Sequence, residues 1–343
     1  MDRYLYPWQH DLWTNIVRRH RKSGLPHALL VSGAAGIGKH NLSLNIARWL
    51  LCQSPAKSEQ NEDACGQCHS CQLWAAGSHP DFMLCQPEES SRQIRIDNVR
   101  KVNSMIFQTP QISQCQVVII KPIDVMNTNA ANALLKTLEE PPGESFLLLE
   151  TERFGSVLPT IRSRCQRVSL SIPAYEESLA WFIGTGVAEQ DARRALQRNG
   201  NAPARAQQWL SSGVGEVQEQ WVSQLMGWTK RQAQLGKVAD AWLKLEFSDV
   251  ITWFYHISCD MMKMASSGDA GCAAEHLTFA EPVTEISGYV AVDKTKLITF
   301  QQKLQRILGQ ILSGAAHHNK SLTIEVLLLE WQELAIVRSG VSS

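Results

Sequence analysis

Residues 28–52 read ALLVSGAAGIGKHNLSLNIARWLLC. Ala28 to Val31 make an apolar run long enough for a buried parallel strand. The run ends in Gly33-Ala34-Ala35-Gly36-Ile37-Gly38-Lys39, and Leu42, Leu44, Ile46, Ala47, Leu50 and Leu51 then recur at helical spacing. Strand, glycine-rich turn, lysine and helix in that order form a P-loop, in which backbone N–H groups and the lysine cradle phosphates. Gly33, Gly36, Gly38 and Lys39 are therefore the nucleotide-binding candidates. The pattern next wants Ser or Thr, whose hydroxyl holds magnesium, and this chain has His40. Imidazole is bulkier and a poor ligand for a hard cation that prefers oxygen. The scaffold is that of an NTPase with one catalytic part missing. A glycine-rich turn that meets no ligand is the open alternative.

Just past the P-loop helix come Cys52 and the run Cys65-Gly66-Gln67-Cys68-His69-Ser70-Cys71. Soft thiolates at this spacing can converge on one ion, so Cys52, Cys65, Cys68 and Cys71 predict a closed tetrahedral zinc site. His69 falls between the ligands and is expected at the surface. Four thiolates leave zinc no open position, so the ion would be structural, stapling an insertion after the helix.

Composition sets outer bounds. A chain of 343 residues has room for two or three domains. Thirty-three basic residues cancel thirty-three acidic ones, so no global field draws the chain to DNA or a membrane. There is no apolar run of spanning length, and MDRYLYPWQHD lacks the apolar core of a signal peptide. The expectation is a cytoplasmic protein whose nine cysteines are reduced, metal-bound or buried.

Upstream, Pro7 can open a helix with Leu12, Ile16 and Val17 on its apolar side and Gly24 as its stop. The cations from Arg18 to Lys22 are read as complementing the helix dipole, with a nucleic-acid patch as the alternative. Downstream, Phe82 to Cys85 reads as a strand, followed by a polar loop with Ser90 and Ser91. Asp97 is read as the N-cap of a helix containing Val99, Val102 and Ile106. Gln116 to Ile120 is the clearest strand of the chain, and Lys121-Pro122 follows where an active ATPase carries acidic residues. Residues 132–142, NALLKTLEEPP, read as a helix ended by prolines, and Phe146 to Leu149 as another buried strand. Apolar strands alternating with helices predict a parallel α/β sheet through about residue 170.

Beyond Pro173 the strand signal fades. Residues 174–213 read as short helices, and the remainder as almost wholly helical. Its predicted segments are 221–230, 238–264, 297–312 and 321–336, with a long connection over 266–293. Trp and Leu at helical spacing there are read as core.

With these motifs in view, the chain resembles the AAA+ subunits of bacterial DNA polymerase III clamp loaders. The resemblance rests on the P-loop, the four cysteines after its helix, NALLKTLEEPP and Ser163-Arg164-Cys165. It covers residues 5–170 by specific motifs and the helical remainder by layout. It implies an AAA+ P-loop domain with a zinc-bearing insertion (1–170), a small helical lid (171–213) and an all-α oligomerisation domain (214–343). It also implies that Arg164, with Ser163 beside it, is an arginine finger.

Departures from the family pattern narrow the reading. Lys121-Pro122 replaces a strand-end Asp-Glu pair, His40 replaces the magnesium hydroxyl, and Pro203 stands where motor subunits carry a nucleotide-sensing arginine, with Arg205 two residues on. Lost nucleotide machinery with a retained finger implies a non-hydrolysing, stator-like subunit. It would work with motor ATPase subunits and a clamp-opening subunit to load a sliding clamp onto primed DNA. ATP hydrolysis by this chain is not expected, and nucleotide binding by its loop is doubtful. The rivals are a self-sufficient AAA+ ATPase with unorthodox metal ligation and, more weakly, a zinc-dependent DNA-binding module.

Overall fold

The computed structural model describes residues 5–54, 63–88, 93–266, 277–313 and 319–337. Ser90 and Ser91, and residues 267–276 of the expected connection, lie outside these. Two compact units emerge, residues 1–185 with 202–205, and residues 186–201 with 206–343.

The first unit begins with a 3-10 turn, Pro7–Gln9, that leads into α1 (His10–Ser23), stopped by Gly24 with His20, Arg21 and Lys22 in the last turn. Then follow β1 (Ala28–Ser32), α2 (Lys39–Leu51), α3 (His69–Ala75), β2 (Phe82–Cys85), α4 (Ile96–Ile106), β3 (Gln116–Ile120), α5 (Thr128–Glu139), β4 (Ser145–Thr151), α6 (Pro159–Arg162), β5 (Gln166–Ser169) and α7 (Tyr175–Gly184). The five strands form one parallel sheet in the order β2-β3-β4-β1-β5. The predicted parallel α/β domain is borne out.

Alternation along each strand sorts side chains onto two covered faces, as a buried parallel sheet requires. Leu29 and Val31 of β1, with Val117 and Ile119 of β3, pack with Ile16 and Val17 of α1 and Leu42 and Ile46 of α2. Ala28 and Leu30, with Val118 and Ile120, pack with Val99 and Val102 of α4 and Leu134 and Leu138 of α5. One expectation is corrected here. Asp97 lies in the first turn of α4, and Arg95 is the N-cap, its N–H donating to Asn98 Oδ1 at 2.9 Å.

The second unit is helical. Its elements are α8 (Glu189–Arg198), most of α9 (Pro203–Ser211), α10 (Val214–Thr229), α11 (Leu235–Trp242), α12 (Phe247–Ser266), α13 (Ala280–Tyr289), β6 (Val290–Val292), α14 (Lys294–Ser313), α15 (Lys320–Leu334) and β7 (Ala335–Val337). Trp221, Trp242, Trp331 and Phe254 are fully buried together, so the tryptophans are core as expected.

Three local readings change. The run 238–264 is two helices, because Trp242 and Phe247 are both buried and five positions on an unbroken helix would point them about 140° apart. The region read as a connection holds α13, whose start packs Phe279, Val283 and Ile286 into the core at helical spacing. Finally, 335–337 leave the last helix to pair antiparallel with β6. Among the described residues no helix is long and apolar enough to cross a membrane.

Candidate functional site

Parallel strands place the P-loop at the C-terminal end of β1, beside the C-terminal end of β4 and one strand from that of β3. A cleft of about 540 Å³ opens there, lined by Gly36, Gly38, Lys39, His40, Lys121, Glu150 and Glu152 among others. The predicted loop residues do converge, but several of their carbonyls, the Gly33 N–H and the Lys39 ammonium are bonded within the chain. Gly33 N–H donates to Thr151 O at 3.3 Å. Gly36 O accepts from Ala204 N–H at 2.8 Å and Arg205 N–H at 3.3 Å. Ile37 O accepts from Trp8 Nε1 at 3.2 Å, and Gly38 O from Gln9 Nε2 at 2.8 Å.

The glycines serve this self-packing. A Cβ on Gly36, whose φ is +73°, would lie 2.5 Å from Arg205 Cβ, and one on Gly38 2.6 Å from the Tyr6 ring. Tyr6 in turn stacks on Trp8 with ring centres 4.7 Å apart.

Lys39 is bent onto its own loop. Its Nζ donates to Ala34 O at 2.6 Å and lies 3.8 Å from Glu152 Oε1. Burial pushes its ammonium below the usual lysine range, while Glu152, Glu150 and Asp124 pull it back up. His40 Nδ1 sits 2.9 Å from Glu150 Oε1. Lys121, at the end of β3, is half-buried, its pKa pushed down by desolvation and drawn up by Glu150. Next to it, Thr151 Oγ1 donates to Asp124 Oδ1 at 2.9 Å, and Asp124 also accepts from Arg153.

These residues do not supply the ligand set of a magnesium nucleotide. Position 40 offers a nitrogen already facing a carboxylate, and position 121 an ammonium. Glu150 and Glu152 would confront the phosphates with like charge. Sequence reasoning identified His40 and Lys121-Pro122 but missed Glu150, whose signal was a carboxylate ending the apolar run of β4.

At the other end of α2, Cys52 is the C-cap, Cys68 is the N-cap of α3, and Cys71 lies in α3's first turn. The Sγ atoms of Cys52, Cys65, Cys68 and Cys71 all lie within 4.8 Å of one another. Cys52 to Cys68 and Cys65 to Cys71 are both 3.9 Å. Bonds of about 2.3 Å to a tetrahedral zinc would put sulfurs about 3.8 Å apart, so the cluster fits that ion. Backbone N–H groups of Gln67 and Cys68 point at Cys65 Sγ from 3.4 and 3.3 Å. The Gln67 N–H leads in drawing the Cys65 thiol down to about 6, whereas burial pushes Cys71 up. His69 is exposed, as expected.

A buried polar brace ties this module to the sheet. Ser70 Oγ and Ser113 Oγ both donate to Leu51 O, at 2.7 and 2.8 Å. His79 Nδ1 accepts from Asp81 N–H, which leaves Nε2 as the donor to Ser70 Oγ at 2.8 Å. Asp81, fully buried, accepts N–H groups from Gln111, Ile112 and Ser113.

Ser163 caps α6, and Arg164 follows it just before β5, an edge strand of the sheet. Arg164 therefore stands at the N-terminal end of the strands, opposite its own P-loop. The two ends differ by about 16 Å, the length of a five-residue strand. Its Nη1 donates to Thr160 O at 2.9 Å, and its Nε to Glu139 Oε1 at 2.8 Å.

The sequence matches the family model described as "DNA polymerase III, delta subunit" over residues 8–173. It is similar to DNA polymerase III subunit delta' of Pseudomonas aeruginosa, with 34% identity covering 96% of this chain and 98% of that protein. The Haemophilus influenzae protein of the same name is 32% identical over 76% of this chain and 77% of its own length. Among solved structures, a DNA polymerase III gamma subunit-related protein from Thermotoga maritima aligns over 95% of this chain and 99% of its own. It is only 18% identical, with a TM-score of 0.45, too loose a likeness to weigh further. The identity to the Pseudomonas protein runs along nearly the whole of both chains, and the chain belongs to the DNA polymerase III subunit delta' family.

Proposed function

We propose that this chain is the non-hydrolysing, stator-like subunit of a cytoplasmic replicative clamp loader. It assists motor ATPase subunits and a clamp-opening subunit in placing a sliding clamp on primed DNA, and it lends Arg164 to a neighbouring subunit's nucleotide. The observation that carries this reading is the placement of Lys39 and Arg164 at opposite ends of one parallel sheet. Arg164 cannot serve its own loop, whose lysine is bonded to Ala34 O and whose histidine faces Glu150. Phosphoryl transfer depends on positioning and charge compensation, and an arginine supplied by a neighbour is worth roughly 10³–10⁵ in rate. Ser163 supports the finger through Oγ, 3.3 Å from Arg164 Nη1.

In this reading Cys52, Cys65, Cys68 and Cys71 hold one structural zinc. The division is an AAA+ domain over 1–170, a lid over 171–213 and a helical oligomerisation domain over 214–343. The test is ATP turnover by the purified chain alone. None is expected, and turnover that survives purification and disappears in Lys39→Ala would contradict the proposal and favour a self-sufficient ATPase.

A further inference from the structure

The Arg164 guanidinium has two functional edges, and both are engaged. Nη1 holds Thr160 O at 2.9 Å and fixes where the group sits. Nε donates to Glu139 Oε1 at 2.8 Å, and Nη2 donates to the same oxygen. The Nε/Nη2 edge is the fork that can set two parallel N–H bonds on a pair of phosphoryl oxygens. A carboxylate therefore covers the edge that a nucleotide would use. Glu139 is the last residue of α5, 50% exposed, and Arg164 is 32% exposed, so the pair is solvated enough to exchange partners.

We propose that Glu139 is a parking carboxylate for Arg164: it competes with the neighbouring subunit's phosphates for the guanidinium fork and restrains hydrolysis until the interface is engaged. The inference rests on the proposed role of Arg164 in trans. Pairing through Thr160 O survives loss of Glu139, so the guanidinium stays in place with its fork uncovered. A half-exposed ion pair shifts an equilibrium by no more than about fivefold, which bounds the effect.

The test is steady-state ATPase of complexes reconstituted at matched assembly with wild-type chain, E139Q, E139A, R164A or E139Q/R164A, without clamp or DNA. Both Glu139 variants should raise kcat about two- to fivefold, and R164A should abolish that gain in the double variant. Mere bracing of α5 by Glu139 would give an unchanged or lower rate. That result, with R164A still defective, overturns the parking role and leaves the finger standing. If R164A alone hydrolyses at the wild-type rate, the reading of Arg164 fails and the parking role fails with it.

Discussion

Helix α2 carries a different kind of motif at each end, and the two ends behave oppositely. At Lys39 a phosphate-binding pattern has its lysine, its carbonyls and His40 engaged by the chain's own residues, from Ala34, Gln9 and Trp8 to Ala204 and Glu150. At Cys52 that thiol and three more, 13 to 19 positions on, converge at the spacing of a tetrahedral thiolate site. A motif guarantees a backbone shape in both cases. What the site can do is decided by which partners the side chains and carbonyls have already taken.

The largest expected effect lies at the cysteine end. A closed thiolate site couples metal binding to local folding, with roughly 10–16 kcal/mol seen in small peptides. Chelation should release one zinc per chain and expose amides over residues 63–80 to hydrogen exchange. The sheet should keep most of its protection, because its two covered faces are built mainly by α1, α2, α4 and α5, to which the module adds Trp74 and the Ser70–His79 brace. Freshly purified protein with under half an equivalent of zinc and four freely alkylated thiols would contradict the comparison.

A smaller effect separates the two turns. Gly36 and Gly66 have nearly the same φ, +73° and +72°, but a Cβ meets Arg205 at 2.5 Å in the first and nothing within 4 Å in the second. Gly66→Ala should cost about 1–2 kcal/mol from backbone conformation alone. Gly36→Ala should cost a further 1–3 kcal/mol, roughly, from overpacking. Urea unfolding of the zinc-loaded variants measures both, and equal costs would mean the P-loop is not closed against its own chain.

The smallest expected effect is a null one. His40→Thr restores the hydroxyl that a magnesium nucleotide needs, yet Glu150, Glu152 and Lys121 remain in the cleft. ATP turnover should stay at background. Turnover gained by this one change would show that position 40 alone disables the loop.

What could be read from sequence divides along similar lines. Local patterns carried four of the five strands of the parallel sheet, the P-loop, the four cysteines and the helical second half, because period and spacing are properties of neighbouring residues, whereas the edge strand β5 has no apolar run to announce it. The self-packing of the P-loop depends on pairs such as Gln9 with Gly38 and His40 with Glu150, 29 and 110 positions apart, which no local pattern contains. Glu139 was visible as the end of a helix, but its bond to Arg164 spans 25 positions. Helix α13 was legible in the spacing of Phe279, Val283 and Ile286 and was obscured by the small and turn-forming residues around it.

The most direct measurement is the ATPase and clamp-loading rate of complexes reconstituted with wild-type chain or Arg164→Ala at matched assembly. Folding, zinc content and subunit association should be unchanged, since the side chain is partly exposed and, among the described residues, pairs with Glu139, Thr160 and Ser163. DNA- and clamp-stimulated hydrolysis should fall as though one nucleotide site had been disabled, and Arg164→Lys should restore little, because an ammonium lacks the guanidinium fork. Normal assembly with hydrolysis and clamp loading at the wild-type rate would make Arg164 a surface arginine and contradict its action on a neighbour's nucleotide.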